Sequence, residues 1–277
     1  MNYLGIPLEK PKVAFFGFTG CEGCQLQIAN KEETLGDLLG VIEVKNFRLI
    51  SSDKADDYDI AFIEGSITRD DEVARLRKIR TQAKVLVAMG ACANLGGVNN
   101  LRSRFPLEEA KQAVYGDHPI ASGPVRRVAD VVRVDIELPG CPISKPEFEW
   151  LVRQLILGIE PQFPQYPVCV ECKQRLNSCV LDLGQICLGP VTRAGCNAPC
   201  PRNRFGCWGC RGPAEEANYQ SLLEILREHG FSDRQIAERV NFFNAFNGVE
   251  AMPVWEKNGS SQLSAPVQVK LKGQNES

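Results

Sequence analysis

Cysteine is the residue through which this 277-residue sequence can do chemistry: there are twelve, beside two histidines and three methionines. Cys21-Glu-Gly-Cys24 stands near the N-terminus, Cys92 and Cys141 stand alone, and eight more fall between residues 168 and 213. Those eight read as two consecutive fours, Cys169-x2-Cys172-x6-Cys179-x7-Cys187 and Cys196-x3-Cys200-x6-Cys207-x2-Cys210. In a reducing compartment, clustered thiols at C-x-x-C spacing are metal ligands or redox sites more often than disulfide partners. The opening MNYLGIPLEKPKVAFFGF shows no basic n-region, apolar h-region with a cleavage site, or twin-arginine pair, so a cytoplasmic location is expected. Six disulfides are the minor alternative.

The elements that must position these thiols can be read from hydrophobic patterning. Strands are expected at 12–18, 41–50, 59–64, 84–89 and 131–138. A helical pattern follows Cys24 through Leu26, Ala29, Leu35, Leu38 and Leu39, and another spans Arg69 to Arg80 with Val73, Leu76 and Ile79 on one side. Largely apolar strands separated by amphipathic helices imply a parallel sheet covered on both faces, a doubly wound α/β domain over residues 1–160. Three prolines within Glu160 to Pro167 then read as a connector. Residues 161–277 form a second domain, irregular and cysteine-rich, with too little apolar material between 168 and 213 to fold by burial alone. Two helices are expected to follow, about Pro213 to Glu228 and Asp233 to Phe246, the second opened by a Ser232 and Gln235 capping box, before a polar and mobile tail.

Doubly wound sheets bind ligands beyond the carboxyl ends of their strands. Cys21 and Cys24 follow the first predicted strand, Cys92 the fourth and Cys141 the fifth, so all four are expected at one sheet edge as a tetrathiolate site. Gly20, Gly23, Gly90 and Gly140 beside them leave room for a bulky group. Free amides and the dipole of the helix opening near Gly23 are expected to favour its negative charge and to lower the thiol pKa values. The alternative keeps only Cys21 and Cys24 as a thioredoxin-like dithiol. The last eight cysteines suggest two more tetrathiolate sites. All-cysteine zinc is the competing reading there, although only one compact pair in 169–187 suits a larger cubane better than a single ion.

Composition narrows the functions available. Apolar residues are 44% and charged ones 24%, the formal charge is -2, and no long apolar run or like-charge block stands out. Disorder, membrane insertion and a nucleic-acid partner are therefore not expected. No strand is followed by G-x-G-x-x-G, so a flavin or nicotinamide site in this chain lacks support.

Taken in order, Cys21-Glu-Gly-Cys24, Glu64-Gly65, Gly90-Ala-Cys92, Pro139-Gly-Cys141-Pro142, Cys187-Leu-Gly-Pro190 and Cys207-Trp-Gly-Cys210 resemble the small, electron-transferring subunit of nickel-iron hydrogenases, over essentially the whole chain. The resemblance implies a flavodoxin-like first domain and three 4Fe-4S clusters. The proximal cluster would sit on Cys21, Cys24, Cys92 and Cys141, the medial on Cys196, Cys200, Cys207 and Cys210, and the distal on Cys169, Cys172, Cys179 and Cys187. Exported, membrane-linked members use a histidine at the first distal position and a proline for one medial cysteine; Cys169 and four medial thiols stand here instead. His118 and His229 lie outside every set and are read as surface or structural. The respiratory complex I homologue carries adjacent cysteines at its first motif, unlike Cys21-x-x-Cys24.

All-cysteine ligation and Val168-Cys-Val-Glu-Cys172 look most like the cytoplasmic branch, in particular the delta subunit of NAD(P)-linked hydrogenases, or sulfhydrogenases. Related small subunits serve deazaflavin- or heterodisulfide-linked enzymes. The resemblance implies a separate large subunit carrying the nickel-iron centre, where H2 is split heterolytically. It also implies an iron-sulfur subunit and a flavin-containing NAD(P) diaphorase that take the electrons. This chain would hold no catalytic residue. Glu22 is read either as facing the interface or a proton route, or as an exposed helix-capping acid. Arg193, Arg202, Arg204 and Arg211 either offset cluster charge or form a solvated basic surface. Protein purified anaerobically from iron-replete cells should be brown, bleach with dithionite and carry about twelve irons and no zinc; a colourless, zinc-loaded chain would contradict the relay and favour a zinc-stabilised binding module.

Overall fold

The computed structural model describes residues 10–30, 36, 40–52 and 54–243, together with the backbone of 249–251 and 269–271. The chain divides into two compact units, Met1–Phe163 and Pro164–Ser277. The helical spacing read at Leu35, Leu38 and Leu39, and the polar tail, lie outside the described residues.

The first unit is built on a five-stranded, all-parallel sheet of β1 (Lys12–Gly17), β2 (Glu43–Phe47), β3 (Ile60–Glu64), β4 (Val85–Met89) and β5 (Ile136–Leu138), in the order β2-β1-β3-β4-β5. This is the flavodoxin-like order, with its switch point between β1 and β3. The central strands are buried along their whole length, which is why they read as continuous apolar runs rather than alternating ones. Helices α1 (Gly23–Ala29), α2 (Asp70–Gln82), α3 (Gly90–Leu95), α4 (Leu107–Tyr115) and α5 (Lys145–Ile156) accompany the sheet. On one face Phe15, Phe62 and Val87 pack with Ile28 of α1 and with Phe148, Leu151 and Leu155 of α5. On the other, Phe16, Ile63 and Leu86 pack with Leu76 and Ile79 of α2. The period-2 alternation of the strands thus feeds two cores.

β5 is shorter than the predicted 131–138. The amides of Val131 and Val132 both donate to the Val128 carbonyl, 3.1 Å each, and close a turn. The Asp135 carboxylate then accepts the Leu86 amide at 2.8 Å, so a side chain satisfies the edge of β4 where a longer strand would have done so. Strand register aligns Gly17, Glu64, Met89 and Leu138 in one row across β1, β3, β4 and β5. That row is the carboxyl edge of the sheet.

The second unit contains α6 (Val168–Gln174), a 3-10 turn at Gly189–Val191, α7 (Pro199–Arg202), α8 (Tyr219–Glu228), α9 (Asp233–Val240) and an antiparallel pair, β6 (Val249–Ala251) with β7 (Val269–Leu271). α8 begins later than Pro213 because the amides before it are used elsewhere. Ala214 donates to Val191 at 2.9 Å and Glu215 to Gln165 at 3.3 Å, before the Asn218 side chain accepts from Ser221 and starts the helix. The Ser232 and Gln235 capping box forms as expected, and α9 ends at Val240 rather than Phe246. Around α6 a small core holds Val168, Cys172, Val180, Cys187, Ala198 and Cys207; half of it is thiol, as the shortage of apolar sequence implied.

In the first unit the ring of Phe148 is fully buried and lies 5.4 Å from that of Phe62 and 6.2 Å from that of Phe15. Phe148→Ala should cost about 3–5 kcal/mol, read as a lowered thermal midpoint; an unchanged midpoint would contradict this core.

Candidate functional site

The carboxyl edge of the sheet brings the first four thiols together. After Gly17 the chain turns through Thr19 and Gly20 to Cys21 and enters α1 at Gly23, with Glu22 held at a left-handed φ of 60°. After Met89 it enters α3 at once, placing Cys92 on that helix. After Leu138 it passes Gly140, whose carbonyl accepts the Ala91 amide at 2.7 Å and ties the Cys92 and Cys141 loops together. Cys141 is followed by a cis peptide bond to Pro142.

Two glycines keep the space beside these sulfurs open. A Cβ at Gly90, where φ is +85°, would stand 2.4 Å from the Cys24 sulfur. One at Gly97, where φ is +59°, would stand 3.0 Å from the Cys92 sulfur. Both positions therefore exclude other residues on two grounds, backbone conformation and room.

All twelve cysteines are free thiols, so disulfide pairing is set aside. Burial, and then the negative charge of Glu64, pushes the Cys24 thiol far above its ordinary range. Burial, with repulsion from Cys141 and Cys21, pushes Cys92 up to about 12, and Cys141 is likewise raised by burial and by Cys21. For Cys24, the thiol at the start of α1, the direction is opposite to the lowering expected at a helix N-terminus. The amides of Cys24 and Gln25 are already taken, donating at 2.8 and 3.0 Å to the carboxylate of Glu64, which is only 4% exposed. The anion at the start of α1 is Glu64. Glu22, by contrast, is exposed and its side chain makes no capping hydrogen bond, so its reading as a capping acid fails.

In the second unit, Cys169, Cys172, Cys179 and Cys187 line one cavity of about 50 Å³. Burial and the other three sulfurs raise Cys169 to about 12. A Cβ at Gly189 would come within 3.3 Å of the Cys187 sulfur and 3.4 Å of the Cys169 sulfur. Cys196 and Cys200 interact with each other, as do Cys207 and Cys210, and burial raises Cys196, Cys200 and Cys207. Their loops touch the preceding set directly: the Cys207 amide donates to the Cys187 sulfur at 3.2 Å, and the Leu188 amide to the Cys207 carbonyl at 3.0 Å. A Cβ at Gly206 would overlap the Ile186 carbonyl, so only glycine permits this approach.

Glu171 and Arg211 support this packing. Glu171, 8% exposed between two cysteines of α6, accepts the amides of Gly195 and Asn197 at 2.8 Å each, on both sides of Cys196. Arg211 is 2% exposed, donates through Nε to the Ala194 carbonyl at 2.8 Å, and lowers the Cys196 thiol against the effect of burial. Of the four arginines named from the sequence, Arg211 is thus a buried cation, whereas Arg202 and Arg204 are exposed. Both histidines are exposed. Glu64 entered the sequence reading only as part of a motif and Glu171 not at all as a site residue. The one available signal is an acid at the end of a strand or between two cysteines of a C-x-x-C pair.

Among the described residues, no group of three or more His, Cys, Asp or Glu side chains is arranged to hold a single metal ion. The residues do fit a larger thiolate-bound group: the donors are soft sulfurs, glycines hold open the space beside them, and in one case four thiols line a common cavity. No helix among the described residues is long and apolar enough to cross a membrane.

The family described as NADH ubiquinone oxidoreductase, 20 Kd subunit, matches residues 21–155, a span that includes Cys21, Cys24, Cys92 and Cys141. Sulfhydrogenase 2 subunit delta of Pyrococcus furiosus is 37% identical over 84% of this chain and 98% of its own length. A vhu subunit of the F420-non-reducing hydrogenase of Methanocaldococcus jannaschii is 26% identical over 87% of this chain and 96% of its own. A chain in the crystal structure of an NAD+-reducing [NiFe]-hydrogenase in the H2-reduced state superposes with a TM-score of 0.51 at 30% identity, covering 56% of this chain and 96% of that one. The ordered cysteine motifs, the parallel sheet that gathers four of them at one edge and these similarities together make this chain a member of the nickel-iron hydrogenase small-subunit family.

Proposed function

We propose that this chain is the electron-relaying small subunit of a cytoplasmic hydrogenase, carrying one 4Fe-4S cluster in its first unit and two in its second. The ligands would be Cys21, Cys24, Cys92 and Cys141 in the first unit; in the second, Cys169, Cys172, Cys179 and Cys187 hold one cluster and Cys196, Cys200, Cys207 and Cys210 the other. The observation that carries this reading is the gathering of the first four thiols at one sheet edge, beside glycines whose replacement would drive a carbon into their sulfurs. When bound, each cluster supplies a one-electron couple whose potential responds to ligand charge, hydrogen bonds to sulfur and exclusion of water.

The protein's contribution is to hold these ligands in place, with ten of the twelve buried or half-buried and Cys21 and Cys141 exposed. Burial raises the thiols of Cys24, Cys92, Cys169 and Cys207, because a buried thiolate without a cation is costly, whereas a bound cluster takes each ligand as thiolate. Loading therefore releases protons, and the chain gains ordered structure where apolar sequence is scarce. Glu64 fixes the start of α1 by taking its amides, and Glu171 fixes both sides of Cys196. Hydrogen would be split at a nickel-iron centre in a large partner subunit, and electrons would leave to iron-sulfur and flavin-containing subunits using NAD(P). Similarity to chains of NAD-reducing hydrogenases supports that acceptor. Relatives named coenzyme F420 hydrogenase and F420-non-reducing hydrogenase favour a second reading, the small subunit of a deazaflavin- or heterodisulfide-linked hydrogenase.

Two assays test the proposal on the whole complex. Cys141→Ser should abolish hydrogen-dependent reduction of NAD(P) while NAD(P)H-driven dye reduction by the partner subunits continues. Retention of both activities would remove Cys141 from the relay. Native complex that reduces a viologen dye with hydrogen but neither NAD nor NADP would favour the second reading.

A further inference from the structure

Arg239 lies on the last turn of α9 and was not singled out by any sequence motif. Its guanidinium carbon stands 3.5 Å from the centroid of the Trp208 ring, and Trp208 follows Cys207 in Cys207-Trp-Gly-Cys210. Its Nη1 reaches the Gly206 carbonyl at 3.5 Å, just before Cys207. Trp208 is held in turn by an edge contact with Phe242, ring centroids 4.8 Å apart. A cation on an aromatic face and half out of water is oriented rather than freely mobile.

Its charge acts on sulfurs from both ligand sets of the second unit. Burial lowers the pKa of Arg239, and the sulfurs of Cys187, Cys207 and Cys200 draw it back up. The side chain still carries its proton, as guanidinium groups in proteins do. The two sets are joined at this place, where the Cys207 amide donates to the Cys187 sulfur.

We propose that Arg239 is a positioning cation shared by the two thiolate sets of the second unit, held on Trp208 so that its fixed charge favours the one-electron reduced form of the clusters they bind. The proposal rests on the function proposed above. One electron entering a thiolate-bound cluster adds one negative charge, with no bond broken and no proton taken up. A fixed cation beside the sulfurs stabilises that charge more than it stabilises the oxidised form, and so raises the potential.

The test is a redox titration of the whole complex with dithionite, following the cluster signals by electron paramagnetic resonance and measuring iron per chain, for native protein, Arg239→Gln and Arg239→Lys. Arg239→Gln should keep its iron and lower the reduced-to-oxidised ratio of at least one cluster about tenfold at a fixed potential, a shift of about 59 mV for one electron. Arg239→Lys should stay within about twofold of native. An iron-complete Arg239→Gln complex that titrates as native overturns the proposal, as does an Arg239→Lys complex that shifts as far as Arg239→Gln. If Arg239→Gln assembles short of iron, Arg239→Lys with full iron and native potentials supports the role of charge, and Arg239→Lys equally short of iron overturns it. Native complex lacking iron would instead sink the function on which the proposal rests.

Discussion

Sulfur that is held out of water and gathered into groups constrains everything else in this molecule. A lone buried thiol is harmless because it stays protonated, but several thiolates drawn together repel one another and lose hydration at the same time. The raised pKa values of Cys24, Cys92, Cys169 and Cys207 express that cost directly. Such an arrangement makes sense when positive charge of inorganic origin is added to it. The protein then has to keep the ligands in register, admit a bulky group and exclude water, and each of these needs is visible in the backbone around the cysteines.

The two units meet the need by different means. In the first, a rigid parallel sheet does the positioning. Its aligned strand ends, Gly17, Glu64, Met89 and Leu138, set the starting points of the loops, and Glu64 pins α1 by accepting two of its amides. Among the described residues of the second unit there is no such parallel sheet. Short helices and turns are held by Glu171, by Arg211 and by backbone contacts that only Gly206 allows. Three of the six residues in its small core are cysteines, so under the proposed function ligand and core would be the same atoms there and folding would be coupled to metal loading.

Much of this was legible in the sequence. Strands β1, β3 and β4 are continuous apolar runs bounded by turn residues, and the placement of Cys21, Cys92 and Cys141 just beyond strands follows from chain order alone. β5 and α8 are shorter than local periodicity predicts because side-chain and loop partners, Asp135 for the Leu86 amide and the 191 and 165 carbonyls for the amides of 214 and 215 respectively, take over backbone groups that periodicity assigns to regular structure. The roles of Glu64, Glu171 and Arg239 depend on contacts across 24 to 40 residues of chain and on a packed aromatic ring. Spacing carries no signal for them. At α1 the dipole does not lower the Cys24 thiol, because burial opposes it and the Glu64 carboxylate already occupies the amides.

That each tetrad grips iron and inorganic sulfide is tested most directly by anomalous scattering at the iron edge from crystals of the anaerobic complex. Three iron peaks in this chain, one within each set of four cysteine sulfurs, are predicted. A tetrad without iron, a peak that appears at the zinc edge instead, or sulfurs joined to one another in place of metal would contradict the account.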